Sequence, residues 1–88
     1  MSMSEVIAKI ERGIKEDIRV SLTEFKGKLY IDIRSYFEVE DGKDRVPTRK
    51  GITISVSMYP DLKKAMAELE KVLIKKKLID KEDLASQE

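Results

Sequence analysis

The hydrophobic period of the chain changes along its length, and the changes predict the order of its elements. Methionine and isoleucine recur within residues 2–16 at intervals of four, three and four, which is typical of an amphipathic helix. Residues 19–25 and 28–39 alternate apolar and polar side chains instead, and Lys26-Gly27 lies between them. This second pattern predicts a β-hairpin, so we expect a short N-terminal helix followed by two paired strands.

The second half of the chain is expected to add two shorter strands and a long helix. Part of Lys43–Thr48 is predicted to be a weaker third strand, and residues 51–57 alternate cleanly as a fourth. Leucine and methionine then follow a helical spacing from about residue 59 to 77. The predicted fold class is therefore α+β, with a four-stranded antiparallel sheet followed by a long C-terminal helix.

The predicted hairpin separates its side chains onto two faces. A two-residue loop pairs Val20 with Ile33, which makes one face apolar. The same register sets Arg19 directly opposite Arg34 on the other face. That second face combines aromatic and basic side chains, namely Arg19, Phe25, Lys28, Tyr30, Arg34 and Tyr36.

This mixture of side chains is suited to single-stranded nucleic acid. Opposed arginines repel each other on a sheet, and a phosphate lying over them would reverse the sign of that interaction. Aromatic rings provide surfaces on which bases stack, and basic groups neutralise the phosphates between them. A second basic segment follows at Arg45, Arg49 and Lys50, around a turn with proline and glycine. An ordinary solvated sheet face and a protein-interaction surface remain the alternatives.

Composition excludes several chemistries. The chain has 88 residues, enough for one small domain, and its 18 basic and 17 acidic groups give a formal charge of +1. It has no cysteine and no histidine, so there is no disulfide, thiolate nucleophile or histidine base. The remaining carboxylates have no spacing that fixes a metal. We therefore predict no catalytic residue, metal or cofactor, and we expect an intracellular protein because neither a signal peptide nor a membrane span is present.

The long helix is also predicted to form a dimer interface. A domain of this size buries too little surface to be comfortably stable alone, which favours a symmetric dimer. The apolar seam that we expect in the dimer interface consists of Leu62, Met66, Leu69 and Leu73.

Three segments resemble the core of the positive cofactor four family of transcriptional coactivators. They are residues 19–37 (RVSLTEFKGKLYIDIRSYF), residues 47–51 (PTRKG) and the following run ITISVSMYPDLKKAM. The resemblance covers roughly residues 18–73. It implies a homodimer whose helices meet and whose sheets bind single-stranded or melted DNA with little sequence preference. It implies no cofactor or metal.

The resemblance also implies roles for particular residues. Phe25 matches an aromatic residue that stacks on a base, and Lys26 and Lys28 match lysines that meet the DNA backbone. Arg34 matches an arginine of the groove. Arg45, Arg49 and Lys50 fall on the basic loop. Phe37 matches a further stacking position, but in a regular strand it shares the face of the apolar residues, so it either stacks after a bulge near Ser35 or belongs to the core.

These observations predict three segments: a helical extension over 1–17, a single-stranded-DNA-binding domain over 18–77 and an acidic tail over 78–88. The expected function is sequence-nonspecific binding of single-stranded DNA in transcriptional regulation, with repair or replication as further roles. The expected partners are DNA, a second copy of the chain and the transcription machinery. An RNA-binding module and a protein-interaction dimer are the alternatives. The expected location is the nucleus of a eukaryote or the nucleoid of a prokaryote.

Overall fold

The computed structural model describes residues 3–85 and has the predicted α+β class, in two compact units that divide after Val56. The first unit is an antiparallel sheet whose four strands follow one another in sequence order. The strands are β1 (Met3–Glu11), β2 (Glu16–Phe25), β3 (Lys28–Phe37) and β4 (Val46–Ser55). A 3₁₀ turn (Val56–Met58) precedes the helices α1 (Tyr59–Lys75) and α2 (Lys81–Ala85).

The β2–β3 hairpin confirms the predicted register. Arg19 lies opposite Arg34, Val20 opposite Ile33 and Phe25 opposite Lys28. Both loop residues have positive φ, 51° at Lys26 and 81° at Gly27, as in the hairpin turns whose twist matches that of the strands. We call the side of the sheet that carries Arg19 and Arg34 the cationic face, and the side that carries Val20 and Ile33 the apolar face.

The prediction of an N-terminal helix is wrong, because residues 3–11 form strand β1. This strand pairs antiparallel with β2, and its register shifts between Val6 and Ala8, so that Ile7 is a bulge. The extra residue resets the alternation of side chains and gives the apolar positions a spacing that resembles a helical one. Strand β1 supplies hydrogen-bond partners to the outer edge of β2, which would have no partners if residues 3–11 formed a helix. Ser2 lies outside the described residues.

The two strands predicted after the hairpin form one strand, β4, that contains a wide bulge. Arg34 faces Gly51 and Tyr36 faces Pro47, so three residues of β4, 48–50, lie opposite Ser35 alone. The Thr48 hydroxyl donates to the Ser35 carbonyl oxygen at 2.9 Å, which closes the irregular stretch. The predicted number of strands is correct because β1 takes the place of the strand that was expected around residues 43–48.

Gly51 allows β4 to approach β3 closely beside the bulge. A Cβ atom at this position would lie 2.5 Å from the Ile33 carbonyl oxygen and 2.8 Å from Arg34 Cα. Neither backbone atom can move aside without disturbing the pairing of the strands. Only glycine therefore fits opposite Arg34, and the narrow approach helps to fix the backbone that carries this arginine.

The helical unit follows its sequence signals. Helix α1 has Pro60 in its first turn and ends two residues before the predicted end. Asp80 and Asp83 cap α2 reciprocally: the Asp83 amide donates to Asp80 Oδ1 at 3.0 Å, and the Asp80 amide donates to Asp83 Oδ2 at 3.1 Å. No helix in the described part of the chain is long and apolar enough to cross a membrane.

The chain by itself buries polar groups and leaves its apolar groups accessible. Across residues 3–84 no apolar side chain is buried, and the buried residues are Asp17, Ser21 and Ser35. Large apolar side chains such as Ile52 and Met66 are more than half exposed. Since burial of apolar surface is the main driving force of folding, a single chain lacks most of the core that its composition allows.

Candidate nucleic-acid interface

The hairpin tip places an accessible aromatic ring among cations. Phe25 ends β2 with 50% of its surface exposed, and Lys28 lies directly opposite it on the cationic face. Lys26 Nζ is 5.3 Å from the centroid of the Phe25 ring. The tip thus has a ring on which a base can stack, with two exposed lysines next to it.

The two tyrosines of the cationic face, Tyr30 and Tyr36, are half-buried. The guanidinium of Arg19 lies over Tyr36, with Cζ 4.2 Å from the ring centroid, which is a cation–π contact. One face of the Tyr36 ring is therefore occupied from within the sheet.

Arg34 is held by a closed network of internal acceptors. Its Nε donates to both carboxylate oxygens of Asp32, at 3.2 and 3.3 Å, and its Nη2 donates to Asp32 Oδ1 at 3.0 Å. Its Nη1 donates to the Thr48 carbonyl oxygen at 2.9 Å, and Thr48 is the first of the three bulge residues of β4. The Thr53 hydroxyl accepts from Nη2 at 3.3 Å and donates to Asp32 at 2.7 Å.

Asp17 holds the other two arginines expected to bind phosphate. Its carboxylate is 1% exposed and accepts from Arg19 Nε at 2.9 Å and from Arg45 Nη1 at 3.0 Å. Arg45 also donates to the Ile14 carbonyl oxygen at 3.1 Å and lies 3.5 Å from Glu11. These contacts tie the segment before β4 to the β1–β2 connection, so Arg45 has a structural role in the free chain.

Both carboxylates remain ionised at neutral pH. Burial alone would raise the pKa of Asp17, but the hydrogen bonds from Arg19 and Arg45 outweigh it and lower the pKa below the ordinary 3.8. Desolvation opposes the hydrogen bonds at Asp32 in the same way, and the bonds from Arg34 and Thr53 again lower the pKa. The charges of the three arginines are consequently compensated inside the sheet.

The predicted cations thus divide into two groups. Arg19, Arg34 and Arg45 are paired with carboxylates. The other four cations predicted to bind phosphate are exposed, and none of them forms an ion pair within residues 3–85. They are Lys26, Lys28, Arg49 and Lys50. Arg49 and Lys50 lie in the bulge of β4, beside the point where Arg34 meets Gly51.

Sequence reasoning missed Asp17 and Asp32 as partners of the arginines. A signal was present, because the tripeptide Asp-Ile-Arg occurs twice, at 17–19 and 32–34. Residues two apart in a strand share a face, so each aspartate lies beside its arginine. The register then places the two tripeptides on adjacent strands, with Arg19 opposite Arg34.

Phe37 lies on the other side of the sheet from Phe25. The β2–β3 pairing runs without a shift from Phe25 to Glu16, which faces Phe37, so Phe37 shares the apolar face with Ile33. The bulge near Ser35 is in β4 and does not turn Phe37 over. The geometry favours the alternative in which Phe37, 43% exposed in the single chain, belongs to an apolar contact.

In the part of the chain that the structure covers, no group of three or more acidic side chains is arranged to hold a metal ion. The candidate site consists of rings, lysines and internally paired arginines.

These features define a small α+β protein whose open sheet face carries aromatic and cationic side chains. A family model described as Transcriptional Coactivator p15 (PC4) matches residues 13–65, and the chain belongs to this family of transcriptional coactivators. The match includes the hairpin, the bulge of β4 and the start of α1.

Two relatives are eukaryotic proteins. The chain is 40% identical over 61 residues to the RNA polymerase II transcriptional coactivator KIWI of Arabidopsis thaliana, covering 69% of this chain and 55% of that protein. It is 37% identical over 51 residues to a putative RNA polymerase II transcriptional coactivator of Caenorhabditis elegans, covering 58% and 41%. The chain therefore spans about half the length of the curated relatives it matches.

Solved structures share the fold. A PC4 homolog from Burkholderia pseudomallei K96243 superposes with a TM-score of 0.71 at 28% identity, over 77% of this chain and 98% of that one. A bacteriophage T5 homolog of PC4, implicated in recombination-dependent DNA replication, superposes with a TM-score of 0.61 at 16% identity, over 98% and 90%. The second likeness concerns the fold alone.

Proposed function

We propose that this protein binds single-stranded or melted DNA without sequence preference and acts in this way as a transcriptional coactivator or regulator. The observation that carries the proposal is the register of the hairpin, which sets Phe25, Lys28 and Arg34 on one accessible face. The transcriptional role is supported by membership in the family and by the two eukaryotic relatives. A role in replication or repair would use the same face.

Binding would combine stacking with neutralisation of charge. Phe25 stacks on an unpaired base, and the four cations without carboxylate partners, Lys26, Lys28, Arg49 and Lys50, contact phosphates. Stacking is worth about 1–3 kcal/mol per base and is tolerant of sequence, because every base has a flat face. The strand must be unpaired, since bases inside a duplex do not expose these faces.

The salt dependence of binding tests the proposal. If the four unpaired cations each neutralise one phosphate, the logarithm of the association constant should fall with the logarithm of salt concentration with a slope of about −2.8, at roughly 0.7 per phosphate. The measurement is fluorescence anisotropy of a labelled oligothymidine at several salt concentrations. Lys28→Gln should make the slope shallower by about 0.7.

A salt-independent affinity, or no binding to any oligonucleotide, would contradict the phosphate contacts and favour a protein-interaction dimer. Matched RNA and DNA oligonucleotides should be compared in competition. An RNA oligonucleotide that displaces DNA at much lower concentration would make RNA the ligand, because contacts to the 2′-hydroxyl distinguish the two.

We further propose that the functional unit is a homodimer in which α1 meets its counterpart. The support is the lack of a buried apolar side chain across residues 3–84. Within the predicted seam, Met66 and Leu69 are 56% and 47% exposed, and Leu62 and Leu73 are partly exposed. An apolar stripe of this kind on a helix is stable in water when another apolar surface covers it.

Sedimentation equilibrium should give twice the chain mass of 10.1 kDa. Met66→Glu places a carboxylate in the seam and should dissociate the dimer. The helical circular dichroism signal should fall as the dimer dissociates. Lys64→Glu introduces the same group two residues away, on the opposite side of α1, and should leave the mass unchanged. A wild-type chain that sediments as a folded monomer would refute the dimer.

A further inference from the structure

Arg34 offers little of its hydrogen-bonding edge to a ligand. A guanidinium has five N–H groups on three nitrogens, and in Arg34 each nitrogen already donates to an internal acceptor. Asp32 takes the Nε side, the Thr48 carbonyl oxygen takes Nη1 and the Thr53 hydroxyl takes Nη2. A phosphate gripped by two N–H groups would have to displace some of these acceptors.

Displacement is unfavourable because of what it leaves behind. The Asp32 side chain is only 16% exposed, so water cannot fully replace the arginine as its partner. A carboxylate that loses its cation in such a place is a poorly solvated charge, held beside an incoming phosphate of the same sign. The Arg34–Asp32 pair should therefore stay closed when DNA binds.

A guanidinium that is bonded at its edge still has its flat faces. Arg34 retains 21% side-chain exposure, and guanidinium planes stack on unpaired bases. Because the surrounding bonds fix the side chain, stacking would cost little conformational entropy. Resting on the proposed function, we propose that Arg34 is a nucleobase subsite, a rigid plane held by Asp32, Thr48 and Thr53 on which a base stacks, and not a phosphate clamp.

The neighbouring arginine already shows the same arrangement. Arg19 lies opposite Arg34, its Nε is bonded to the aspartate two residues before it, and its Cζ lies over the Tyr36 ring, 4.2 Å from the centroid. The arginine of one Asp-Ile-Arg unit of this sheet thus makes a cation–π contact with a ring of the protein itself. In the other unit, Arg34 has no aromatic contact of its own among residues 3–85.

The test separates bases from phosphates. The double variant Asp32→Asn/Arg34→Gln removes both charges of the pair, so the net charge of the cationic face is preserved. Its affinity is measured for oligothymidine and for an abasic sugar-phosphate oligomer of equal length. We expect a loss of about tenfold for oligothymidine, the size of one base stack, with no change for the abasic oligomer and an unchanged salt slope. Lys28→Gln, the control, should weaken binding to both.

Equal losses for both oligomers, with a shallower salt slope, would make Arg34 a phosphate contact and overturn the inference. Unchanged affinity for both would overturn it as well. Arg34→Lys keeps the charge but removes the planar guanidinium, so it can replace the double variant if that variant fails to fold. The inference then requires Arg34→Lys to lower the affinity for oligothymidine and to leave the affinity for the abasic oligomer unchanged. Wild-type protein that binds no oligothymidine would instead refute the proposed function, which makes the two failures distinguishable.

Discussion

Phe25→Ala should lower the affinity for single-stranded DNA about tenfold to a hundredfold, because truncating a ring that stacks on a base costs about 1–3 kcal/mol. Phe25 is half exposed at the end of β2, beside the two lysines of the hairpin tip, so it can receive a base without rearrangement of the sheet. The measurement is anisotropy with labelled oligothymidine at one fixed salt concentration. The salt slope should not change, since no phosphate contact is removed.

Two further variants show whether the effect belongs to this face. Tyr59 at the start of α1 is 49% exposed, almost the same as Phe25, and Tyr59→Ala should bind like the wild type. Phe37→Ala removes a ring of the apolar face and should act on stability more than on affinity. If Phe25→Ala bound oligothymidine as tightly as the wild type, the stacking platform would have to be abandoned.

Asp17→Asn should lower the free energy of unfolding by about 3 kcal/mol at pH 7, the cost of removing one partner from a buried ion pair. The carboxylate is 1% exposed and joins Arg19 to Arg45, and Arg45 in turn holds the β1–β2 connection through the Ile14 carbonyl oxygen. An amide keeps the shape but leaves Arg19 without its counter-charge and leaves Arg45 only the exposed Glu11, at 3.5 Å. Urea unfolding at fixed protein concentration measures the difference.

The same pair predicts how stability depends on pH. The pKa of Asp17 is lowered in the folded chain, so its contribution is fully present above the ordinary value of 3.8 and is lost as the pH falls through the folded pKa. The gap in stability between the wild type and Asp17→Asn should therefore be constant from pH 7 to pH 5 and should close below about pH 3.8.

The matched control uses an exposed pair. Asp41 is bonded to Lys15 at 2.7 Å, with 85% of the aspartate side chain exposed, and Asp41→Asn should unfold like the wild type. If Asp17→Asn and Asp41→Asn had equal effects, burial of Asp17 would not be what makes its ion pair important.

The hairpin and the long helix could be predicted because their signals are local. Alternation in residues 19–25 and 28–39, with Lys26-Gly27 between them, fixes both the register and the face of each side chain, although the strand itself ends at Phe37. The same alternation assigns Phe25, Lys28 and Arg34 to one face of the hairpin. Helix α1 likewise follows from its apolar period and from Pro60.

The N-terminal strand and the course of β4 could not be predicted in this way. Ile7 is an extra residue in β1, and one inserted residue converts a strand pattern into an apparent helical one. In β4 the three residues opposite Ser35 break the alternation, so one strand looked like two. The position of a bulge depends on which residues of the partner strand are paired, and the sequence around the bulge does not contain that partner.

The class of fold, the two faces of the hairpin and the family can be predicted from the chain alone, because these depend on spacing between near neighbours. Which cations have no carboxylate partner follows only from the three-dimensional arrangement. Asp17 reaches an arginine 28 residues away, and Arg34 is closed in by oxygens of β4 14 and 19 residues away. Compensation of charge is a matter of distance in space, and strand pairing brings these groups together.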